Sequence, residues 1–423
     1  MRSELSPHMF LLKHSVAVFI LVGCLCYLEA LLVSYVCVRW ILPRHVVSRL
    51  GNQARYVTID GIRGFLAFGV YVHHTMVTWL FMQGRGWGGP PHNIENQLGK
   101  TSVAVFFMIT AFLFWGRAQA CRNLSWREFF VSRLFRIYPL YLFAVSFICV
   151  AVAYECNWVA LEPAFGIAKE IFKWLIFRAP VINDYAATSL VVAGVTWTLL
   201  YEAWFYLSLP LLVTVFLRRQ AAWIKVICLT LIVGLFFVNH LSPAIAATFS
   251  GGILAVYWRM NPTRIRLVQG KLASLIALAC LLCAGLLLYE PFNLPGIVLL
   301  SVFFVVISSG NTLFGILKTR PALWLGEISY SIYLCHGMVL WLVLQNFFAR
   351  LPSFHLTIAW YVLSAIAIAP LVILFCSLTY LMIERPFLDF GHKLFGRRSV
   401  LSVDPRPATA LAQQASPTGP ATW

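Results

Sequence analysis

The chain has 423 residues, 61% of them apolar or aromatic and only 11% charged, with a net charge of +17 from 32 Lys and Arg against 15 Asp and Glu. A soluble domain carries about a quarter charged residues and just under half apolar ones, so the composition excludes a soluble globular enzyme, a disordered chain and a disulfide-stapled secreted module. Apolar runs of about twenty residues, rather than alternation, also exclude an outer-membrane barrel and leave an all-α, polytopic integral membrane helix bundle.

Taken in order, eleven spans are predicted near 15–39, 62–82, 101–116, 137–155, 197–217, 222–239, 242–258, 272–289, 293–309, 323–346 and 356–383. The first is too long for the apolar region of a signal peptide and carries Glu29 with no small-residue cleavage site, so it reads as an anchor. Residues 156–196 form the longest loop, and AFGIAKEIFKWLIFRAP within it is amphipathic, which predicts an interfacial or re-entrant helix. The last 25 residues, rich in Pro, Ala and Ser, read as disordered. Three segments result. Residues 1–55 are an extra N-terminal span with a basic loop, 56–390 the core, and 391–423 a tail; with no soluble domain in view, any chemistry is expected of the bundle itself.

Positive charge sets the expected orientation. The loops 40–61, 117–136, 218–225, 259–271, 310–322 and the tail from 384, with the flanking Arg39 and Arg63, hold 24 of the 32 Lys and Arg; the other loops hold 8. Cytoplasmic loops collect basic residues, which places the N-terminus outside and the C-terminus in the cytoplasm and makes nucleic acid an unneeded explanation of the charge. Most of the eleven Cys lie within apolar runs and read as small hydrophobes.

Ionisable groups at membrane depth are costly, so each is a functional candidate. Arg63 begins the second span and His73 and His74 sit near its middle. Arg63 and His74 are eleven residues apart, on one helical face and about 16 Å apart along the axis. An anion held by Arg63 would reach His74 only through a long arm, and coenzyme A has that shape. The plainer readings are a positive flank for Arg63 and bundle hydrogen bonds for the histidines; the latter is preferred for His73 only.

TIDGIRGFLAFGVYVHH resembles the signature of the membrane-bound acyltransferase type 3 family, in which an Arg and a His with ten residues between them open the core. SVAVFFMITAFLF, SRLFRIYPLY, WTLLYEAWFYL, LGEISYSIYLCHG and IERPF are similar to the family's later segments, in the family's order, over about residues 56–390. Two departures stand out: Ala111 where the family usually has Gly, and the span at 15–39 ahead of the signature helix.

The resemblance implies an acyl-CoA-dependent O-acyltransferase of the bacterial inner membrane. It would move an acyl group, acetyl before succinyl, from cytoplasmic acyl-CoA to a hydroxyl of a glycan or lipid-linked sugar, such as O-antigen lipopolysaccharide, exopolysaccharide or periplasmic glucan, directly or through a separate periplasmic partner. His74 is the expected base, with an acyl-His intermediate as the lesser alternative. Asp60 either orients Arg63 or caps the helix. Arg133 and Arg136, one turn apart, would join Arg63 on the CoA phosphates. Glu202, with Tyr206 on its face, is assigned to acceptor binding or support of the base, on the outer side of the bundle. Ser329, Tyr330 and His336 share this assignment, with bundle hydrogen bonds as the default for the first two, and Glu384 is expected to pair with a nearby arginine. No metal-ligand spacing and no phosphate-cradling Gly loop is present, GRGWGG at 84–89 reading as an external turn. The alternative is a proton-coupled transporter or exporter relaying through His74, Glu202 and His336.

Overall fold

The computed structural model describes residues 7–48, 50–51, 56–90, 93–121, 124–351 and 356–394. The expected tail falls almost wholly outside these residues. Most of the described residues are helical, and among them there is no strand beyond a single bridge between Ile182 and Tyr185.

The helices used below are α1 Pro7–Val36, α2 Val57–Met82, α3 Asn93–Ala120, α4 Trp126–Glu155, α5 Ala164–Leu175, α6 Trp197–Phe216, α7 Ala222–Val238, α8 Phe249–Arg259, α9 Lys271–Leu287, α10 Leu294–Ser308, α11 Arg320–Glu327, α12 Ser329–Leu340, α13 Ile358–Thr379 and α14 Arg385–Leu394. Seven helical segments among the described residues are long and apolar enough to cross a bilayer, as a multi-pass membrane protein requires. All eleven expected spans are helical, but four fall short of that length. α7, α9 and α10 have 15 to 17 residues, about 22–26 Å of helix against a hydrocarbon core of about 30 Å. The expected span 242–258 is broken at Thr248 into Pro243–Ala247 and α8, and that at 323–346 is divided at Ile328 into α11 and α12.

α3 starts eight residues before the expected span, because hydropathy discounts a polar opening that the fold buries. Glu95, Asn96 and Gln97 are inside, and the Gln97 side chain donates to the Leu288 carbonyl at 2.6 Å. The core is built on α2 and α3, whose apolar windows are 67% and 78% buried, against 33% for the first span. α2 packs against α3, α11 and α12, and α1 against α13.

Lipid is as apolar as Leu, so helices associate in a membrane through close packing and interhelical hydrogen bonds. Tyr27 donates to the Phe65 carbonyl, Thr58 to that of Ile307 and Tyr71 to that of Ala365, at 2.7–3.0 Å. α2 and α11 meet backbone to backbone: a Cβ on Gly64 would lie 2.5 Å from Leu325 Cβ, and one on Gly326 would lie 1.9 Å from the Asp60 carbonyl oxygen. This contact fixes the first turns of α2, which carry Asp60 and Arg63. Ala111 is accommodated because Gly252 of α8 lies opposite; a Cβ there would be 2.9 Å from that of Ala111. The close approach is kept, with the glycine on the other helix.

The amphipathic segment of the long loop is helical as expected, as α5. It is tied to α4 by hydrogen bonds from Tyr138 to the Leu175 carbonyl and from Tyr141 to that of Trp174, and Trp174 is fully buried.

Candidate active site

The expected residues assemble into two adjoining groups. A cavity of about 140 Å³ is lined by Arg63, Arg133, Arg136, Glu202, Tyr206, Ser329 and Tyr330. Most of its apolar lining comes from α3 (Val103, Phe106, Phe107, Leu113, Phe114), joined by Ile137 of α4 and Leu199 of α6. Four separate sequence motifs therefore contribute charge or hydroxyls to one enclosure.

Within it the arginines differ. Arg136 is ion-paired with Glu384 at 2.6 Å, and that carboxylate is 1% exposed and also accepts from Ser331 at 3.0 Å. The expected pairing of Glu384 thus falls on Arg136. The Arg133 guanidinium lies 4.7 Å from the centroid of the Phe114 ring, with its buried Nε unpartnered. Arg63 is 3.9 Å from Asp60, a loose pair. Asp60 makes no capping hydrogen bond, since Tyr56 occupies the N-cap and no side chain caps there; the orienting reading describes its position better than the capping one.

Glu202 lines the same cavity as all three arginines, and its carboxylate accepts from Tyr206 at 3.0 Å. α3, α4 and α6 surround this one interior space.

The second group is a histidine pair. His336 Nε2 is 3.0 Å from His74 Nδ1. His336 is fully buried and His74 half-buried. His336 Nδ1 faces the Ile332 carbonyl at 2.8 Å, and His74 Nδ1 faces the Val70 carbonyl at 3.0 Å. A carbonyl only accepts, so with both rings neutral His336 holds its proton on Nδ1 and its Nε2 accepts. His74 then holds its proton on Nδ1, shared between Val70 and His336, and its Nε2 lone pair is free. His73 instead bonds the Glu95 carbonyl at 2.8 Å and packs against Gly99, a structural role.

Neither His74 nor His336 lines the arginine cavity, but α12 joins the two groups. Ser329, Tyr330 and Tyr333 line the cavity, and His336 follows Tyr333 by one helical turn, about 4.5 Å. Sequence reasoning missed three contributors. Tyr333 shares a 2.7 Å hydrogen bond with Thr198, another lining residue. Trp87, in the GRGWGG turn, stacks on His74 with ring centroids 6.1 Å apart and planes 17° apart. The turn Thr188–Val192 packs against α12 at Gly337, where a Cβ would lie 2.3 Å from the Val192 carbonyl carbon. The signal for Trp87 was an aromatic residue in the first loop after the histidine span; nothing in the sequence marked the 188–192 turn. Among the described residues no group of three or more His, Cys, Asp or Glu is arranged to hold a metal ion.

A family model described as an acyltransferase domain matches residues 56–380. The chain belongs to the acyltransferase type 3 family. Its relatives include the Bacillus subtilis protein YrhL, provisionally named for peptidoglycan O-acetylation, 23% identical over 81% of this chain and 57% of that protein. The peptidoglycan O-acetyltransferase OatA of Listeria monocytogenes is 24% identical over 67% of this chain and 49% of its own length. Nodulation protein 10 of Rhizobium leguminosarum is 25% identical over 66% of this chain and 82% of its own length. This acyltransferase-family chain thus spans only about half the length of the two relatives named for peptidoglycan. No solved structure matches it.

Proposed function

We propose that the chain transfers an acyl group, acetyl in the first instance, from acyl-CoA to a hydroxyl of a glycan at the outer face of a bacterial inner membrane. The observation that carries this reading is the His74–His336 pair beside a cavity with three arginines, in a chain of the acyltransferase type 3 family. The names of relatives support acetyl as the group and a glycan such as peptidoglycan as the acceptor. The charge bias of the loops supports a cytoplasmic donor, an N-terminus outside and a C-terminus inside.

In this mechanism the acceptor hydroxyl gives its proton to His74 Nε2 as its oxygen bonds to the acyl carbon. The carbon–sulfur bond then breaks, and the departing CoA thiolate takes the proton from His74, leaving an ester and free CoA. His336 and the Val70 carbonyl hold His74 in the tautomer this requires. Arg133 and Arg63 are the cations available to a phosphate, since Arg136 is engaged by Glu384. The cavity is small, so it suits the thioester arm and a phosphate at the arginines, with the adenosine outside its mouth. Glu202 and Tyr206, in the same enclosure, position the reacting groups, and an acceptor approaching from the other face would meet His74 beside Trp87.

The test is the alkali-labile acyl ester on the host's surface glycans, measured by NMR in a deletion strain complemented with wild type or His74→Ala at equal membrane abundance. Ester with wild type alone is the expected result; ester with both constructs removes His74 as the base. Equal ester in the uncomplemented deletion strain removes this chain as the source.

A further inference from the structure

A second, larger depression lies away from the active site. It is a groove of about 460 Å³ between the end of the first helical segment, the turn after it and the start of α11, lined by Tyr35, Arg39, Arg44, Ser48, Arg320 and neighbouring apolar residues. Arg39, Arg44 and Arg320 are exposed and form no ion pair among the described residues. Three guanidinium groups converge there from two parts of the chain. Arg39 and Arg44 precede the region matched by the family model, whereas Arg320 lies inside it.

The surroundings are those of a membrane interface. Leu28, Leu32 and Tyr35, at i, i+4 and i+7, form an outward apolar stripe on α1, 51–64% exposed, and its last member lines the groove. Trp40, 73% exposed, lies beside it with the Arg39 guanidinium 4.8 Å from its ring centroid. Exposed Trp next to basic residues marks the headgroup level of a bilayer, and planar guanidinium forks suit phosphate oxygens. A ligand satisfying both features carries a phosphate in the groove and apolar chains along the stripe.

We infer that this groove binds the phosphate of an anionic phospholipid, whose acyl chains lie along Leu28 and Leu32 and whose headgroup bridges the N-terminal helix to α11. The site does not depend on the acyl-transfer reading.

The test uses the full chain purified in mild detergent, as wild type, Arg39→Gln, Arg44→Gln and Arg320→Gln, with Arg219→Gln as an exposed control outside the groove. Phosphatidylglycerol retained per protein is measured by mass spectrometry on monodisperse samples. Each groove variant is expected to retain about fivefold less than wild type, with Arg219→Gln unchanged. In parallel, the unfolding midpoint is compared in nanodiscs of phosphatidylglycerol, in nanodiscs of phosphatidylcholine, and in detergent with inorganic phosphate. A rise with phosphatidylglycerol alone, reduced in Arg39→Gln, supports the lipid. A rise with inorganic phosphate alone overturns the lipid as the source and leaves a soluble phosphate ligand. Equal retention in all five proteins overturns the site.

Discussion

His336 Nε2 lies 3.0 Å from His74 Nδ1, and this contact joins the Val70 carbonyl in leaving Nε2 the free nitrogen of His74. Because the Ile332 carbonyl claims the proton on His336 Nδ1, the facing nitrogen of His336 accepts and His74 Nε2 is left as the base. Removing the base removes general-base catalysis, so His74→Ala is expected to lower kcat by about 10²–10⁴-fold. His336→Ala leaves the base held by the Val70 carbonyl alone, a loosening that costs up to about a hundredfold. His336→Gln, whose side-chain oxygen can accept from His74 Nδ1, is expected to recover part of that loss. Steady-state acyl transfer in proteoliposomes checks all three. Equal activity of His336→Ala and wild type would remove the positioning role.

The pair formed by Arg136 and Glu384 separates structural from functional arginine. Glu384 is 1% exposed with Arg136 at 2.6 Å, and breaking a buried pair from one side costs about 3–5 kcal/mol because a charge is left unpaired. Arg136→Gln is therefore expected to fall in membrane abundance and unfold earlier, and the double variant Arg136→Gln with Glu384→Gln to regain much of the loss. Arg133 has no carboxylate at ion-pair distance among the described residues. Arg133→Ala is expected to keep its abundance and raise the KM for acyl-CoA, by about 10–100-fold for one lost charge-assisted bond. Unfolding midpoints alongside donor titrations distinguish the two classes.

The helical bundle was legible because membrane-depth apolar runs have few alternatives, and the charged residues within them were legible because burial there is costly. Arg63, Arg133, Arg136 and Glu202 stood out for that reason. The three arginines were legible as one phosphate site, but that Glu202 and the hydroxyls of α12 share their cavity was not, since which helices enclose one space depends on packing between α3, α4, α6 and α12. The break at Thr248 was missed because Thr is not a helix breaker in sequence, and the opening of α3 because its polar residues find partners only in the fold.

Trp87 lies in a loop where the sequence suggested only a turn, yet its ring stacks on His74, 6.1 Å between centroids. An aromatic plane beside the base both shields its ring and offers a surface to a sugar. Trp87→Ala is expected to raise the acceptor KM with a smaller effect on that for the donor, and Trp87→Phe to retain more acceptor binding than Trp87→Ala. Parallel titrations of the two substrates check the split; equal changes for donor and acceptor would assign Trp87 to the shape of the base alone.

Gly337 follows His336 and carries no functional group, but the backbone of the Thr188–Val192 turn lies against it. A methyl group there would sit 2.3 Å from the Val192 carbonyl carbon and 2.5 Å from the Ala193 nitrogen, both backbone atoms. Neither can swing away as a side chain would, so either the turn or α12 must move. Overpacking of this kind costs about 1–3 kcal/mol. Gly337→Ala is therefore expected to lower the unfolding midpoint and, by shifting His336 from His74, to reduce kcat more than either KM. Gly285, on α9 with nothing within 4 Å of its would-be Cβ, provides the control: Gly285→Ala is expected to leave both properties unchanged. A Gly337→Ala protein as stable and active as wild type would show that the turn yields without moving the histidine pair.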